Sequence, residues 1–233
     1  MTLTGGSGQA EGFVLAGGGS TRMGRDKASL EVAGRPLVQH MLAKLRSLGL
    51  PVRVAGARVD LTEFAEVTAD VYPGCGPLAG IEAALRASDA PRNLCVAVDL
   101  PLLPAPWLGY LMERAELTGA AATIPYAGGR PQPLCAVYRR ELLPFLSAAL
   151  AAGDYKVMRV IEAAALALNG EWAIDRFDCE RIWPALRGDE PLAPVGEAFL
   201  NCNTPQDLEL VAFHLERTAN GGWPKGTAHP SMP

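Results

Sequence analysis

Residues Phe13 to Lys27 read FVLAGGGSTRMGRDK, and this stretch decides the fold. Phe13-Val14-Leu15 is a short apolar run, the pattern of a buried strand. It breaks at once into Gly17-Gly18-Gly19-Ser20. Without a Cβ, glycine lets the backbone turn sharply and bring several N–H groups toward one ligand. Such a nest of N–H dipoles suits phosphate oxygens. Arg22, Arg25 and Lys27 follow. An arginine forks two phosphate oxygens, and a lysine supplies a compact mobile charge. Buried strand, glycine turn, then cations is a recipe for holding a polyphosphate. The competing reading is a glycine-rich surface turn with its cations in water; ordered cations after a buried strand weigh against it. Two named loops are excluded. Lys27 precedes Ala28, so no GxxxxGK[ST] is present, and Gly24 falls too late for GxGxxG.

Outward from this strand the chain alternates strands and helices. Leu30 to Arg35 reads as a turn or hairpin. Pro36 opens a helix with Leu37, Val38, Met41, Leu42 and Leu45 at helical spacing, and Gly49 ends it. Val52 to Ala55 is the next strand, completing a right-handed parallel unit. Asp60 to Glu66 reads as a short helix. Tyr72 to Gly80 is a glycine-proline loop leading into a helix with Ile81, Ala84 and Leu85 on one face. Asp70, just before it, reads equally as a turn-former or a ligand acid.

Leu94 to Val98 is an unbroken apolar strand fit for the centre of a parallel sheet covered on both faces. It ends at Asp99. In open α/β sheets ligands sit beyond the carboxyl ends of the strands, where one carboxylate suits Mg²⁺ shared with phosphate oxygens. The bland alternative is an Asp that caps the next turn. Further on come a helix over 104–117, a strand over 121–125, a Gly-Gly-Arg-Pro loop at Gly128 to Pro131 and a strand over 134–138. Helices follow over 139–152 and 156–166. Lys156 and Arg159, after a Gly-Asp turn, read equally as a solvated helix start. A late strand runs over 171–174, and 179–194 has no clear period and reads as an inserted loop. Thr204, Pro205 and Asp207 carry the marks of a capped helix start. Asn201 and Asn203 are left over; as alternate residues of a strand they would share one face.

Composition narrows the class. The chain has 233 residues, 49% hydrophobic and 20% charged, with a formal net charge of -4. That supports one large α/β domain over 12–217 with polar tails at 1–11 and 218–233. It argues against nucleic-acid binding through a basic surface. Five cysteines, at 75, 95, 135, 179 and 202, show no CxxC spacing, and only three histidines occur. Neither a disulfide framework nor a His-based metal cluster is expected, and a reducing cytoplasm fits best. No signal peptide and no membrane span are expected.

Leu15-Ala16-Gly17-Gly18, Ser20, Arg22-Met23-Gly24 and Asp26-Lys27 resemble the LAGGxSxRMGxDK signature of the molybdopterin-type nucleotidyltransferases, closest to the molybdenum cofactor guanylyltransferases. Gly76 to Gly80 resembles the same family's GPLAG loop, Asp99 and Pro101 its DxP turn, and Asn201 to Leu208 its NxNTPxDL segment. The resemblance spans about residues 12–216. It implies a three-layer α/β/α, Rossmann-like, mostly parallel sheet of the nucleotide-diphospho-sugar transferase type. It implies GMP transfer from GTP to the terminal phosphate of molybdopterin, with release of pyrophosphate and with Mg²⁺ as cofactor. Arg22, Lys27 and Asp99 would be catalytic, with Asp99 holding the metal. Leu15, Ala16, Gly17, Gly18, Gly19, Ser20 and Asp70 would hold the nucleotide; Arg130, Lys156, Asn201 and Asn203 would face the pterin side. Transient contact with cofactor-biosynthesis or acceptor enzymes is implied too. The chain departs from the family where Ala55-Gly56 replace an Asn near the nucleotide. The alternatives are a CTP- or sugar-phosphate-using transferase, which Gly17 and the paired asparagines disfavour, and a non-enzymatic cofactor carrier, which intact Arg22, Lys27 and Asp99 disfavour.

Overall fold

A computed structural model describes residues 9–17, 27–56, 58–169, 173–186 and 193–219. Strand β1 spans Ala10–Leu15; β2 (Glu31–Val32) and β3 (Arg35–Pro36) form the expected small hairpin. Helix α1 (Leu37–Ser47) leads to β4 (Val52–Ala55) and β5 (Val67–Thr68). Helix α2 (Pro77–Ala87), β6 (Arg92–Ala97), α3 (Ala105–Thr118), β7 (Ala122–Ala127), β8 (Arg130–Pro131) and β9 (Cys135–Arg139) follow. The remainder is α4 (Leu143–Ala151), α5 (Val157–Asn169), β10 (Ile174–Asp178), α6 (Cys179–Leu186), α7 (Val195–Ala198) and α8 (Pro205–Ala219).

The main sheet has the order β10-β7-β9-β6-β1-β4-β5, with β8 paired to β7. Strand β1 lies between β6 and β4, parallel to both. Its side chains alternate: Val14 enters one core with Leu37, Met41 and Trp107, while Phe13 and Leu15 enter the other with Leu78, Ile81 and Leu146. A strand apolar at consecutive positions from Phe13 to Leu15 therefore serves two helical layers at once. Helices α1 and α3 cover one face; α2, α4 and α5 cover the other. This is the expected three-layer α/β/α sheet.

Several expectations are corrected. Strand β6 is not flanked by parallel neighbours on both sides, because β9 pairs antiparallel with it and with β7. Glu11, placed in a tail, lies inside β1, where the Arg53 guanidinium 3.0 Å away meets its charge. The helix expected over 60–66 is a single 3-10 turn, Val59–Leu61. The late strand lies further on than 171–174, at Ile174–Asp178. The expected loop at 179–194 contains α6, whose Trp183 is buried against Trp107 with ring centroids 5.1 Å apart. Residues 201–203 form no strand. The turn around them is instead anchored by Phe199, whose ring meets Trp107 edge-on at 6.0 Å. As expected, Thr204 caps α8: its hydroxyl accepts the Asp207 N–H, and Asp207 accepts the Thr204 N–H at 2.8 Å. No helix among the described residues is long and apolar enough to cross a membrane.

Candidate functional site

The chain leaves β1 toward β4 on one side, while the strands after β6 lie on the other. The carboxyl ends of β1 and β6 thus border the crevice where such sheets hold ligands. The Val98 N–H donates to the Leu15 carbonyl at 3.1 Å, which ties the approach to Asp99 to the end of β1. The Cys202 N–H donates to the Asp99 carbonyl at 2.9 Å. Two backbone bonds therefore bring three predicted segments together: Leu15-Ala16-Gly17, Asp99, and the turn holding Asn201 and Asn203. Leu15 and Ala16 are buried, Gly17 is exposed, Asp99 is half-buried and both asparagines are exposed. Gly18, Gly19, Ser20 and Arg22 lie outside the described residues. Lys27 opens a 3-10 turn, Lys27–Ser29, and its side chain is outside what the structure describes.

The other predicted residues stand around this edge rather than against Asp99. Asp70 follows β5, three strands along from β6. Its carboxylate accepts the Tyr72 N–H at 2.9 Å, so the turn-forming role is real. Burial pushes its pKa above the ordinary value, the Tyr72 amide opposes that, and the nearby Glu82 charge adds to it. Arg130 is exposed on β8, which folds back on β7 through Gly128-Gly129, at φ 56° and 70°. Both central residues of that two-residue turn need the left-handed region. Because β7 runs parallel to β6, this hairpin tip lies on the same sheet edge. Lys156 is exposed at the start of α5. Arg159 is exposed and paired with Asp154.

Gly56 stands in the sequence only as part of the departure from the family pattern at Ala55-Gly56, with nothing to mark it as a packing position. It follows β4 at φ 140°, and a Cβ there would meet the Gly17 nitrogen at 2.7 Å. The loop after β4 packs on the glycine turn so closely that only hydrogen fits. Gly56→Ala should destabilise the fold by about 2 kcal/mol through backbone strain, lowering Tm by about 4–8 °C. It should weaken nucleotide binding as well, because Gly17 must shift; thermal melts with and without nucleotide check both.

Two polar groups stand out behind the edge. Glu82 on α2 is fully buried, with one carboxylate oxygen held by Arg86 and Ser147 and the other without a partner. Lys44 on α1 donates to the Pro101 carbonyl, in the turn that follows Asp99. Burial pulls its pKa from 10.5 down to about 8. The unfolded chain holds that proton up to the higher value, so the buried ammonium costs stability fully below about pH 8. The cost fades as pH rises toward 10.5. Lys44→Met should therefore stabilise the fold at pH 7 by about 1–3 kcal/mol, after the lost hydrogen bond is set against the desolvation. The advantage over wild type should shrink by pH 10 in urea titrations.

A depression of about 400 Å³ lined by Asp89, Pro91, Arg140 and Glu141 lies at the amino end of β6, away from this edge. Its Arg140 already donates to the Ser88 carbonyl. Among the described residues no group of three or more His, Cys, Asp or Glu could hold a metal ion. One acid at a strand end would suit Mg²⁺ that takes its other oxygens from phosphate and water.

The MobA-like NTP transferase domain matches this sequence over residues 12–168. The chain belongs to that family. A probable molybdenum cofactor guanylyltransferase of Pelotomaculum thermopropionicum is 32% identical over 216 residues, covering 91% of this chain and 97% of the relative. The molybdenum cofactor guanylyltransferase of Xanthomonas euvesicatoria is 35% identical over 198 residues, covering 84% of this chain and 90% of its own. Among solved structures, molybdopterin-guanine dinucleotide biosynthesis protein A from Archaeoglobus fulgidus superposes with a TM-score of 0.69 at 26% identity, covering 88% of this chain and 98% of that one. A Thermus thermophilus 2-C-methyl-D-erythritol 4-phosphate cytidylyltransferase shares the fold, with a TM-score of 0.59 at 18% identity over 88% of this chain and 98% of its own. Membership makes this chain a nucleotidyltransferase of molybdenum cofactor biosynthesis.

Proposed function

We propose that the chain transfers GMP from GTP to the terminal phosphate of molybdopterin, giving molybdopterin guanine dinucleotide and pyrophosphate. The carrying observation is the Cys202 N–H bond to the Asp99 carbonyl, beside the end of β1. It supports the reading because it joins the turn of Asn201 and Asn203 to the acid expected to bind metal, beside Gly17. The guanylyltransferase relatives support the choice of GTP.

The acceptor phosphate is already an anion, so no protein base is needed to activate it. The core thiols are poor candidates for a nucleophile: burial pushes Cys135 up to about 12 and raises Cys95 and Cys179 as well. Rate enhancement then comes from alignment and charge neutralisation. Residues Gly17 to Ser20 would present N–H groups to the triphosphate, and Arg22 and Lys27 would neutralise charge growing on the leaving pyrophosphate. Asp99 would hold Mg²⁺, which supplies Lewis-acid polarisation of phosphate oxygens when bound. Asn201, Asn203, Arg130 and Lys156 would orient the acceptor, and Asp70 would fix the nucleoside.

Thermal-shift titration with GTP, CTP, ATP and UTP in Mg²⁺, followed by pyrophosphate release with molybdopterin, tests the reading. GTP-selective stabilisation and pyrophosphate release are expected. CTP selectivity, or binding without pyrophosphate, contradicts it.

A further inference from the structure

Two carbonyls far apart in the chain are met by one face of helix α1. His40 donates from Nε2 to the Val32 carbonyl at 2.8 Å, in the hairpin that follows the turn of Lys27. Lys44, one helical turn further on and on the same face, donates to the Pro101 carbonyl in the turn that follows Asp99. The start of the helix is tied as well. The Leu37 N–H donates to the Leu30 carbonyl at 2.9 Å, and Ala28 shares the core with Leu37 and Met41. Helix α1 therefore links the segment of Lys27 to the segment of Asp99.

The turn after Asp99 is weakly held by its own backbone. Pro101 has no N–H. The Leu100 N–H reaches the Ala97 carbonyl at 3.4 Å and the Leu103 N–H the Leu100 carbonyl at 3.3 Å, both long. A lysine is a costly way to hold such a turn. Burial desolvates its ammonium, and no carboxylate among the described residues pairs with it. A neutral donor would meet the same carbonyl at lower cost. Departures of this kind from what stability favours gather at functional sites.

We infer that Lys44 is a positioning residue for the transfer reaction: from α1 it holds the turn of Asp99 in register with the turn of Lys27. This rests on the reading in which Asp99 and Lys27 serve one Mg²⁺-bound triphosphate. Neither His40 nor Lys44 belongs to a signature that the sequence displays.

The test compares wild type with Lys44→Met and Lys44→Leu as full chains at pH 7, with Mg²⁺ varied at saturating GTP and molybdopterin. The Mg²⁺ concentration for half-maximal pyrophosphate release should rise about 10- to 100-fold, the usual loss when a residue supporting a metal ligand is removed. The same shift should appear without turnover, in the Mg²⁺ dependence of the stabilisation by GTP in thermal melts. Without ligand both variants should melt about 2–12 °C above wild type, because the desolvated cation is gone. Metal use and stability thus move in opposite directions, which a merely structural lysine does not produce. An unchanged Mg²⁺ requirement, or a raised one accompanied by a lower Tm, overturns the assignment. A wild-type chain that GTP stabilises with Mg²⁺, but that releases no pyrophosphate with molybdopterin, overturns the acceptor reading, and the melts still decide this inference. One that GTP with Mg²⁺ does not stabilise overturns the transfer reading and this inference with it.

Discussion

Asp99→Asn should lower kcat at least about 100-fold, with Tm within about 2 °C of wild type. The two halves of that result separate chemistry from structure. The main-chain carbonyl at this position accepts the Cys202 N–H at 2.9 Å, and asparagine keeps that bond. What transfer needs is the carboxylate charge, because Mg²⁺ shared with a triphosphate takes one or two carboxylates from protein. The residual rate should no longer rise with added Mg²⁺. A variant with a wild-type rate at saturating GTP, or one that melts well below wild type, would show that Asp99 only caps the turn after β6.

Lys27→Ala should cost about 100- to 1000-fold in kcat, the usual loss when one preorganised group that stabilises transition-state charge is removed. The fold should survive, since the neighbouring Ala28, which is buried against α1, seats the 3-10 turn. A lysine acts here as a point charge reaching toward phosphate, so added salt should narrow the gap between variant and wild type. Circular dichroism and pyrophosphate release, measured on the same samples, check both statements. A folded variant with full turnover would remove Lys27 from the site.

Much of this was legible because the signals were local. The apolar run at Phe13 to Leu15, the Pro-opened helix α1 and the Thr204-Asp207 cap each depend on residues a few positions apart. Strand direction is not local. The run over 134–138 shows a strand but not that it inserts antiparallel between β6 and β7. Helix α6 escaped because it is short and has Pro184 inside it, so its period never develops. Glu11 looked like tail because its partner, Arg53, comes from a strand distant in sequence. Within the site, the family signatures named the segments around Asp99, but the roles of Gly56, Glu82 and Lys44 were invisible. They exist only through contacts with residues far along the chain: Gly17, Ser147 and Pro101.

A crystal structure with Mg²⁺ and a non-hydrolysable GTP analogue tests the shared edge most directly. The triphosphate should lie against the turn at Gly17, with an Asp99 carboxylate oxygen about 2.1 Å from the metal. A nucleotide seated elsewhere, or a metal held without Asp99, would contradict the account.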